Sequence, residues 1–361
     1  MDKKEKKKMS RTKRTVVIVG SVLAALLVLL AVAFFLLKGY FGQIKRFDCD
    51  EPTLSQDQIE SLLNQDETAD PNYTGPVLNA DDVTTPENPA DSINSDAVIN
   101  ILLVGQDRRD GEGRRHSDSM VLVTINKKSG TITMTSFMRD LWLPIPDRYT
   151  ERLNVPYMVG GFPLLNDTLE YNFGVRADYN IEVDFAGFEA VVDAVGGVDI
   201  SLTSAEANYL NKRGNWTAGE TYNGDWTLQK GVNHLTGKQA LAYSRIRDLD
   251  SDFGRTGRQR VVLEALMEKI KGMNITKAIG LIKTLIPLVK TDMTDAQILD
   301  LAFELLPMLS KTQVVSQRIP ADGAYKDVKL VDKGYTKYVL VMDEKDLETN
   351  IKLLKDAIGE N

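Results

Sequence analysis

Apolar and polar positions divide the chain into a long hydrophobic run, a polar stretch and a region of short alternating elements. Residues 16–37 contain no charged side chain, and about 20 apolar residues are enough for a helix to cross a bilayer. We therefore predict a membrane anchor over 16–38. Residues 39–97 are rich in Asp, Asn, Pro and Thr, which is typical of a spacer with little order, apart from a short helix over 54–64.

From residue 98 onward, buried-strand patterns alternate with helical ones. Strands are predicted at 99–104, 120–125, 131–136, 198–202, 314–318 and 338–342. Helices are predicted at 164–171, 185–194, 235–243, 258–272, 276–290, 294–309 and 346–358. The polar stretch 203–233 is predicted to be an irregular loop. This alternation favours an α/β fold, with a central mixed sheet flanked by helices and preceded by one N-terminal transmembrane helix.

Charge is distributed unevenly along the chain. Residues 1–15 carry eight Lys and Arg against two acidic residues, whereas the whole chain has a formal net charge of −7. Basic flanks stay on the cytoplasmic side of an anchor. We therefore predict a cytoplasmic tail (1–15), an anchor (16–38), an extracellular stalk (39–97) and an extracellular domain (98–361). A cleaved signal peptide is the alternative, but the apolar run is longer than such peptides usually have.

Several kinds of site are disfavoured by composition. An acidic body lacks the broad basic face that nucleic-acid binding needs. Cys49 is the single cysteine, so no intrachain disulfide can form. The two histidines are His116 and His234, the second interpreted as a loop residue, and they do not suggest a zinc site. Phosphate-loop, dinucleotide-binding and nucleophile-elbow motifs are absent from the sequence.

Arginines are concentrated in residues 242–260, which contain five arginines and three aspartates. Arg245 and Arg247 alternate, so on an extended segment they would point to one face. Arg255 precedes a predicted helix, and helix N-termini favour anions. Forked guanidinium groups also match phosphate oxygens. The stretch therefore predicts an oxyanion site, with a solvated, salt-bridged turn as the alternative.

Other residues of this stretch receive structural interpretations. Its aspartates resemble the start of a calcium-binding loop, but Gly254 is one position late and Gln259 stands where a bidentate glutamate is needed. We therefore reject an EF-hand. Arg258 and Arg260 are interpreted as residues on the surface of the following helix.

Several motifs, taken in their order, resemble the LytR-CpsA-Psr family of cell-envelope phosphotransferases. They are residues 100–107, 117–120, 136–140, 153–154 with 160–161, 195–198, 241–247 and 252–259. Each motif is weak alone, whereas the ordered set is specific. Two positions depart from the family pattern: His116 replaces an arginine before Ser-Asp, and Met138 replaces a proline. The first departure leaves open whether Arg114, Arg115 or His116 faces the phosphate.

The resemblance implies transfer of an anionic glycopolymer, either wall teichoic acid or capsular polysaccharide, from a polyprenyl-pyrophosphate carrier to peptidoglycan through a phosphodiester bond. The carrier is already activated, so no ATP is needed outside the cell. The implied pyrophosphate clamp consists of Arg109, Arg139, Arg245, Arg247 and Arg255. The implied catalytic set consists of Arg245, Arg247, Asp252 and Arg255, where Asp252 orients a water or accepts the proton of the attacking hydroxyl.

A divalent cation, Mg²⁺ or Mn²⁺, is also implied, with Asp107 and Asp118 as its ligands. Both aspartates follow or begin predicted strands, so a turn or cap role is the alternative for each. Asp140 has the alternative of a simple ion pair with Arg139.

The implied partners are the polyprenyl-linked glycopolymer, peptidoglycan, the cell membrane and sister transferases or polymer-assembly enzymes, with no nucleic acid. The implied location is the membrane of a Gram-positive bacterium. Two alternatives stay open. A non-catalytic sensor or scaffold for polyprenyl-phosphate lipids needs the arginines but not the aspartates. A polyprenyl-pyrophosphate hydrolase uses water in place of a sugar hydroxyl. A DNA-binding regulator is disfavoured, because an external domain does not reach cytoplasmic DNA.

Overall fold

The structure is a computed structural model, and its described part begins at Lys45. It comprises residues 45–47, 54–64, 73–86, 90–106, 116–212, 225–247, 249–250, 252–273, 277, 280–281, 284–309 and 311–359. The predicted tail (1–15) and anchor (16–38) lie outside these residues. Among the helices of the described part, none has the length and apolar character that a membrane crossing requires.

The strands of the described part form a seven-stranded sheet and three smaller sheets. They are β1 (Lys45–Arg46), β2 (Val77–Asn79), β3 (Val98–Gln106), β4 (Ser117–Asn126), β5 (Thr131–Phe137), β6 (Trp142–Pro144), β7 (Thr150–Arg152), β8 (Tyr179–Asp184), β9 (Val198–Leu202), β10 (Gly231–Leu235), β11 (Lys290–Thr291), β12 (Gln313–Ile319), β13 (Lys326–Asp332) and β14 (Tyr335–Val341). The large sheet has the order β1-β11-β8-β3-β4-β5-β12. Because β3 pairs antiparallel with β4 and parallel with β8, the sheet is mixed, as predicted.

The α-helices lie mainly on the two faces of this sheet. They are α1 (Gln56–Leu63), α2 (Val155–Phe173), α3 (Phe185–Ala194), α4 (Ser204–Leu210), α5 (Gly237–Ser244), α6 (Asp252–Lys271), α7 (Asp295–Leu309) and α8 (Glu344–Ile358). Capping boxes fix the starts of α1, α4, α5 and α8. In each box a short polar side chain and a residue three positions later satisfy free N–H groups of the first turn.

Alternation along β3 explains why the sheet is buried on both faces. Leu102 and Val104 point to one face and pack against α2 and α8, whereas Ile101 points to the other face, which α6 and α7 cover. Burial of this apolar surface is the main force that holds the layers together. Apolar packing therefore dominates both faces of the sheet.

A second apolar cluster holds the arginine-rich stretch. It joins α3, the β9–β10 hairpin, α4, α5 and α6. Ile246 is fully buried in this cluster, between Arg245 and Arg247. The isoleucine therefore anchors the segment that carries both arginines.

Several predicted elements need correction. The stretch 203–233 is not irregular throughout: it contains α4, which a capping box of Thr203 and Glu206 begins, and β10, which pairs with β9. His234 consequently lies on a strand and not in a loop. The helix predicted over 258–272 begins earlier, at Asp252. Strand β13 was not predicted, and it is held between β14 and β2.

Two further helices differ from their predictions. Helix α2 is much longer than the predicted 164–171, and its backbone breaks from helical geometry at Gly161, with φ 64° and ψ −156°. Only a residue without Cβ adopts that conformation at little cost. The helix predicted over 276–290 does not reach residue 290, because a 3₁₀ turn (Ile286–Leu288) is followed by β11. The predictions for α3 and β9 are confirmed in both bounds.

Short segments of the predicted stalk (39–97) are part of the fold. Strand β1 pairs with β11, and β2 pairs with β13. Ile59 and Ile93 are buried in apolar clusters. The expectation of little order is therefore wrong for β1, β2 and the segment around Ile93, because contacts distant in the sequence hold them. The short helix predicted over 54–64 is confirmed as α1. The domain boundary at residue 98 stays a prediction.

A buried ion pair joins the small β6–β7 hairpin to β14. Lys337 on β14 donates to Glu151 on β7 and, at 2.8 Å, to Asp332 on β13. The side chains of Lys337 and Glu151 are 2% and 3% exposed. Lys337 Nζ also lies 5.4 Å from the centroid of the Trp142 ring. Removal of one partner would leave buried charge without compensation.

We predict that Lys337→Met lowers the free energy of unfolding by about 3 kcal/mol, because the buried Glu151 would lose its main cation and keep the backbone N–H and the 3.7 Å ion pair of Arg152. Urea unfolding followed by circular dichroism measures this change. Lys326→Met is the matched control, because Lys326 pairs with Asp343 at an exposed position and should cost less than about 1 kcal/mol. Equal effects of the two substitutions would contradict the prediction.

Candidate functional site

The ends of β4 and β5 bring Asp118 and Arg139 together. The two strands are antiparallel, with Met120 opposite Phe137, so the start of β4 and the end of β5 lie side by side. We call this end of the strands the sheet edge. Arg139 Nη1 donates to Asp118 Oδ1 at 2.9 Å. Arg139 Nε also lies 3.5 Å from Asp140 Oδ1, so the ion pair considered as the alternative for Asp140 is present.

The first turn of α6 docks on the same edge. Arg255 holds the carboxylate of Asp252 with two hydrogen bonds, Nε to Oδ1 at 2.7 Å and Nη2 to Oδ2 at 3.0 Å. Its Nη1 donates to the backbone carbonyl of Asp118 at 3.2 Å. Arg139 Nη2 lies 3.6 Å from Asp252 Oδ1. The sheet edge and the helix start are therefore joined by one network of charges.

The two arginines that flank Ile246 have different surroundings. Arg247 Nη2 lies 3.6 Å from Asp118 Oδ1, and the Arg247 side chain is 53% exposed. Arg245 follows α5 with φ −103° and ψ −2°, and its guanidinium lies 4.3 Å from the centroid of the Phe185 ring. The expectation of an extended segment is wrong, because Arg245 continues the turn of α5.

Burial and neighbouring charges have opposite effects on the pKa values of Arg139 and Asp252. Burial lowers the pKa of Arg139, but three carboxylates raise it by more; they belong to Asp140, Asp252 and Asp118. Burial raises the pKa of Asp252, whereas the hydrogen bonds and charge of Arg255 bring that pKa below its ordinary value. Asp252 is therefore held as a carboxylate.

Arg247 carries positive charge that the site does not fully compensate. Its pKa is lowered by burial first and then by repulsion from Arg139 and Arg255. An anionic ligand would relieve this repulsion, and phosphate oxygens fit forked guanidinium donors. The half-exposed side chain is accessible to such a ligand.

Arg258 fixes the loop that carries these arginines. It is buried, so its interpretation as a surface residue is wrong. Its guanidinium donates to Glu206 at 2.9 Å, to the carbonyl of Ile246 at 3.1 Å and to Asp250. Gly254 permits this arrangement, because a Cβ there would lie 2.3 Å from the Asp250 carboxylate. Multiple hydrogen bonds offset the cost of burying these charges.

Asn154 contacts the site, although the sequence suggested no role for it. Its backbone carbonyl accepts from Ser117 N at 3.2 Å, and its backbone N–H donates to the Arg139 carbonyl at 3.1 Å. Its side chain is buried, and within the described ranges Oδ1 has no hydrogen-bond partner. The only signals in the sequence were the Leu153-Asn154 motif and its place before α2.

Two predicted ligands, Asp107 and Arg109, lie outside the described residues. In the part of the chain that the structure describes, no group of three or more His, Cys, Asp or Glu side chains is arranged to hold a metal ion. The ion pairs that Asp118 makes with described residues use Oδ1. Mg²⁺ needs only one or two carboxylates besides water and phosphate. Asp118 is the predicted ligand that the structure describes, and it offers one such carboxylate.

The pKa of Glu206 makes the stability of the protein depend on pH in the acid range. Burial raises its pKa, but hydrogen bonds from Thr203 and Arg258 lower it by more, so the folded pKa lies below the ordinary value of 4.5. The unfolded chain then binds protons more readily near pH 4 than the folded chain does. The stabilising contribution of Glu206 is therefore complete above about pH 4.5 and is lost as pH falls through the folded pKa.

We predict that Glu206→Gln lowers the free energy of unfolding by about 2 kcal/mol at pH 7, because the hydrogen bond to charged Arg258 is weakened. The difference between the two proteins should shrink as pH falls from 5 to 3. Urea unfolding at several pH values measures it. A difference that stays constant over this range would show that the carboxylate charge is not responsible.

Comparisons with known proteins agree with this geometry. A family model described as LytR_cpsA_psr family matches residues 66–356. The polyisoprenyl-teichoic acid–peptidoglycan teichoic acid transferase TagU of Bacillus mycoides (strain KBAB4) is 35% identical over 235 residues, which cover 64% of this chain and 71% of that protein.

Solved structures share the fold. The crystal structure of B. subtilis TagT is 26% identical and has a TM-score of 0.57, with 77% of this chain and 99% of that chain covered. The LytR-CPS2A-psr family protein YwtF (TagT) with bound octaprenyl pyrophosphate lipid is 25% identical and has a TM-score of 0.55, with 77% and 98% covered. The family model matches most of this chain, so the chain belongs to the LytR-CpsA-Psr family.

Proposed function

We propose that this protein transfers a teichoic acid from a polyprenyl-pyrophosphate carrier to peptidoglycan and forms a phosphodiester bond. The observation that carries the proposal is the convergence of Arg139, Arg247 and Arg255 on Asp118 and Asp252 at one sheet edge. Support comes from relatives named as teichoic acid transferases and from a family structure with bound octaprenyl pyrophosphate. Capsular polysaccharide is the alternative polymer.

The proposed reaction is a displacement at phosphorus. The oxygen of the acceptor hydroxyl bonds to the phosphorus next to the glycopolymer as the bond from this phosphorus to the bridging oxygen breaks. The polyprenyl phosphate leaves with that oxygen and takes up the proton of the hydroxyl. Such transfers are accelerated mainly by positioning and by neutralising charge on the phosphate oxygens. Arg139, Arg247 and Arg255 supply that charge, and Arg245 completes the clamp together with Arg109. Preorganised donors stabilise a transition state without rearrangement during the reaction.

Asp252 acts in this mechanism as a positioning residue. Both of its carboxylate oxygens accept hydrogen bonds from Arg255, and its pKa is below the ordinary value. A carboxylate bound in this way is a weak base. The sequence-based role as acceptor of the hydroxyl proton is therefore less favoured than orientation of Arg255 and Arg139.

The cation and the location are further parts of the proposal. Asp118 and Asp107 would hold Mg²⁺ or Mn²⁺, which when bound would neutralise charge on pyrophosphate oxygens. An anchor over 16–38, with the domain outside the cell, would keep the protein close to a membrane-borne carrier lipid. Peptidoglycan and sister transferases or polymer-assembly enzymes would be its partners there.

We predict that Arg247→Ala reduces transfer about 100-fold or more, because one preorganised donor to the phosphate oxygens is lost. The melting temperature should hardly change, because the side chain is half-exposed. Full-length protein, a short-chain polyprenyl-pyrophosphate glycan and peptidoglycan oligomers would be mixed with Mg²⁺, and adducts would be followed by mass spectrometry. Arg176→Ala is the matched control, because Arg176 is a partly exposed arginine paired with Asp167 and Glu170.

The same assay separates the alternatives. A phosphodiester-linked adduct supports the transferase, whereas sugar phosphate released without an adduct supports the hydrolase. Tight lipid binding without any product, across several glycans and acceptors, would leave only the sensor or scaffold. An Arg247→Ala protein with full activity would contradict the clamp.

We also predict that EDTA abolishes transfer and that added Mg²⁺ or Mn²⁺ restores it. Asp118→Asn should raise the Mg²⁺ concentration for half-maximal rate about tenfold, because one anionic ligand is lost. Titration of Mg²⁺ in the mass-spectrometric assay measures this shift. Unchanged transfer in EDTA would show that the arginines act without a divalent cation.

A further inference from the structure

Buried polar side chains also lie on the sheet face that α6 covers, beside the end of β5. In the parallel pair of β5 and β12, Ser136 is opposite Arg318 and Met134 is opposite Ser316. Because strand side chains alternate, Ser136, Ser316 and Arg318 share one face of the sheet. Ser136 precedes Arg139 by three residues, so this face adjoins the arginine site.

Helix α6 forms the other wall of this region. The guanidinium of Arg318 lies 4.4 Å from the centroid of the Phe253 ring. Arg260 follows Phe253 by seven residues, or about two helical turns, so both residues lie on the same face of α6. Arg260 and Ser316 line an open cleft of about 440 Å³, together with Val261 and Glu264.

Three buried polar atoms of this region lack hydrogen-bond partners among the described residues. They are Ser136 Oγ, Ser316 Oγ and Arg260 Nη1. Ser136 is only 1% exposed. Native proteins leave few buried polar groups unpaired, because each one costs free energy. Arg260 is therefore not simply a surface residue, as the sequence suggested, because its Nη1 is buried.

The composition of the cleft selects one kind of ligand. Arg260 offers guanidinium donors that match a carboxylate, and the Ser316 hydroxyl suits a hydroxyl or amide group of a glycopeptide. Glu206, Asp250 and Glu264 also line the cleft, and Arg258 pairs with the first two. Three carboxylates therefore face the two guanidinium groups of Arg258 and Arg260, and a densely charged polyphosphate would meet net repulsion. A singly charged, hydroxyl-rich molecule fits better than the anionic polymer itself.

The distance along α6 between the cleft and the arginine site bears on the proposed reaction. Asp252 and Arg260 are eight residues apart on α6, which is about 12 Å at 1.5 Å per residue. This distance is of the order of two sugar units. A disaccharide whose hydroxyl lies at the arginine site would therefore be long enough to reach Arg260.

We propose that the cleft formed by Arg260 and Ser316 is the acceptor subsite and that it binds a peptide carboxylate of the peptidoglycan glycopeptide. The inference rests on the proposed transferase function. It adds what the arginine site does not provide, namely a place that distinguishes the acceptor from water and from the donor polymer.

Calorimetry with full-length protein tests the subsite without turnover. A soluble peptidoglycan glycopeptide would be titrated in two forms, one with free peptide carboxylates and one with those carboxylates amidated. The unmodified protein should bind the amidated form about tenfold more weakly, which is typical for loss of a charge-assisted hydrogen bond. Arg260→Met should bind both forms equally weakly, and Arg176→Met should behave as the unmodified protein does.

Kinetics and a second variant complete the test. Arg260→Met should raise KM for the acceptor about tenfold and leave KM for the lipid donor unchanged. Ser316→Ala, which removes a smaller group, should weaken acceptor binding about threefold, and it serves if Arg260→Met does not fold. An equal effect of amidation on the unmodified and Arg260→Met proteins, or a change in donor KM alone, would overturn the subsite. Acceptor binding that depends on Arg260 without any transfer would overturn the proposed function and leave the subsite intact.

Discussion

The bidentate ion pair between Arg255 and Asp252 is the contact on which the site depends. It lies in the first turn of α6, and the same guanidinium donates to the backbone of Asp118 on β4. Arg139, which follows β5, bridges both aspartates. Two neighbouring strands and a helix that is distant from them in sequence thus meet through a few charge-assisted hydrogen bonds, and the apolar layers on either side keep them in register.

Burial of these charges is expensive unless each donor and acceptor is satisfied. Arg258 shows how the fold meets that requirement, because Glu206, Asp250 and the carbonyl of Ile246 share its guanidinium. The loop that carries Arg247 is therefore rigid at its base while Arg247 itself remains half-exposed. Such support and an accessible cation together suit the proposed binding of an anion with little reorganisation.

Much of this arrangement could be predicted from local patterns, and some of it could not. The bounds of α3 and β9 followed from apolar periodicity, and the resemblance singled out Asp118, Arg139 and Asp252. The capping box that begins α4 was visible in the sequence but was outweighed by the polarity of the stretch. The burial of Arg258 depends on Glu206, which lies 52 residues earlier in the chain, so no local pattern indicated it. Strand β13 forms a tight hairpin with β14 across Lys333-Gly334, so it had a local signal that the prediction did not use.

Two regions of helix α6 differ in the charges that surround them. Its first turn belongs to a group of arginines whose mutual repulsion favours a multiply charged pyrophosphate. Farther along, Arg258 and Arg260 stand among Glu206, Asp250 and Glu264, and this excess of one carboxylate would disfavour a polyanion more than a single carboxylate. Because donor and acceptor differ in charge density, one helix can keep each on its own side of the reacting phosphorus. The cleft would then select the acceptor because its carboxylates repel the donor, and not because it binds the acceptor more tightly.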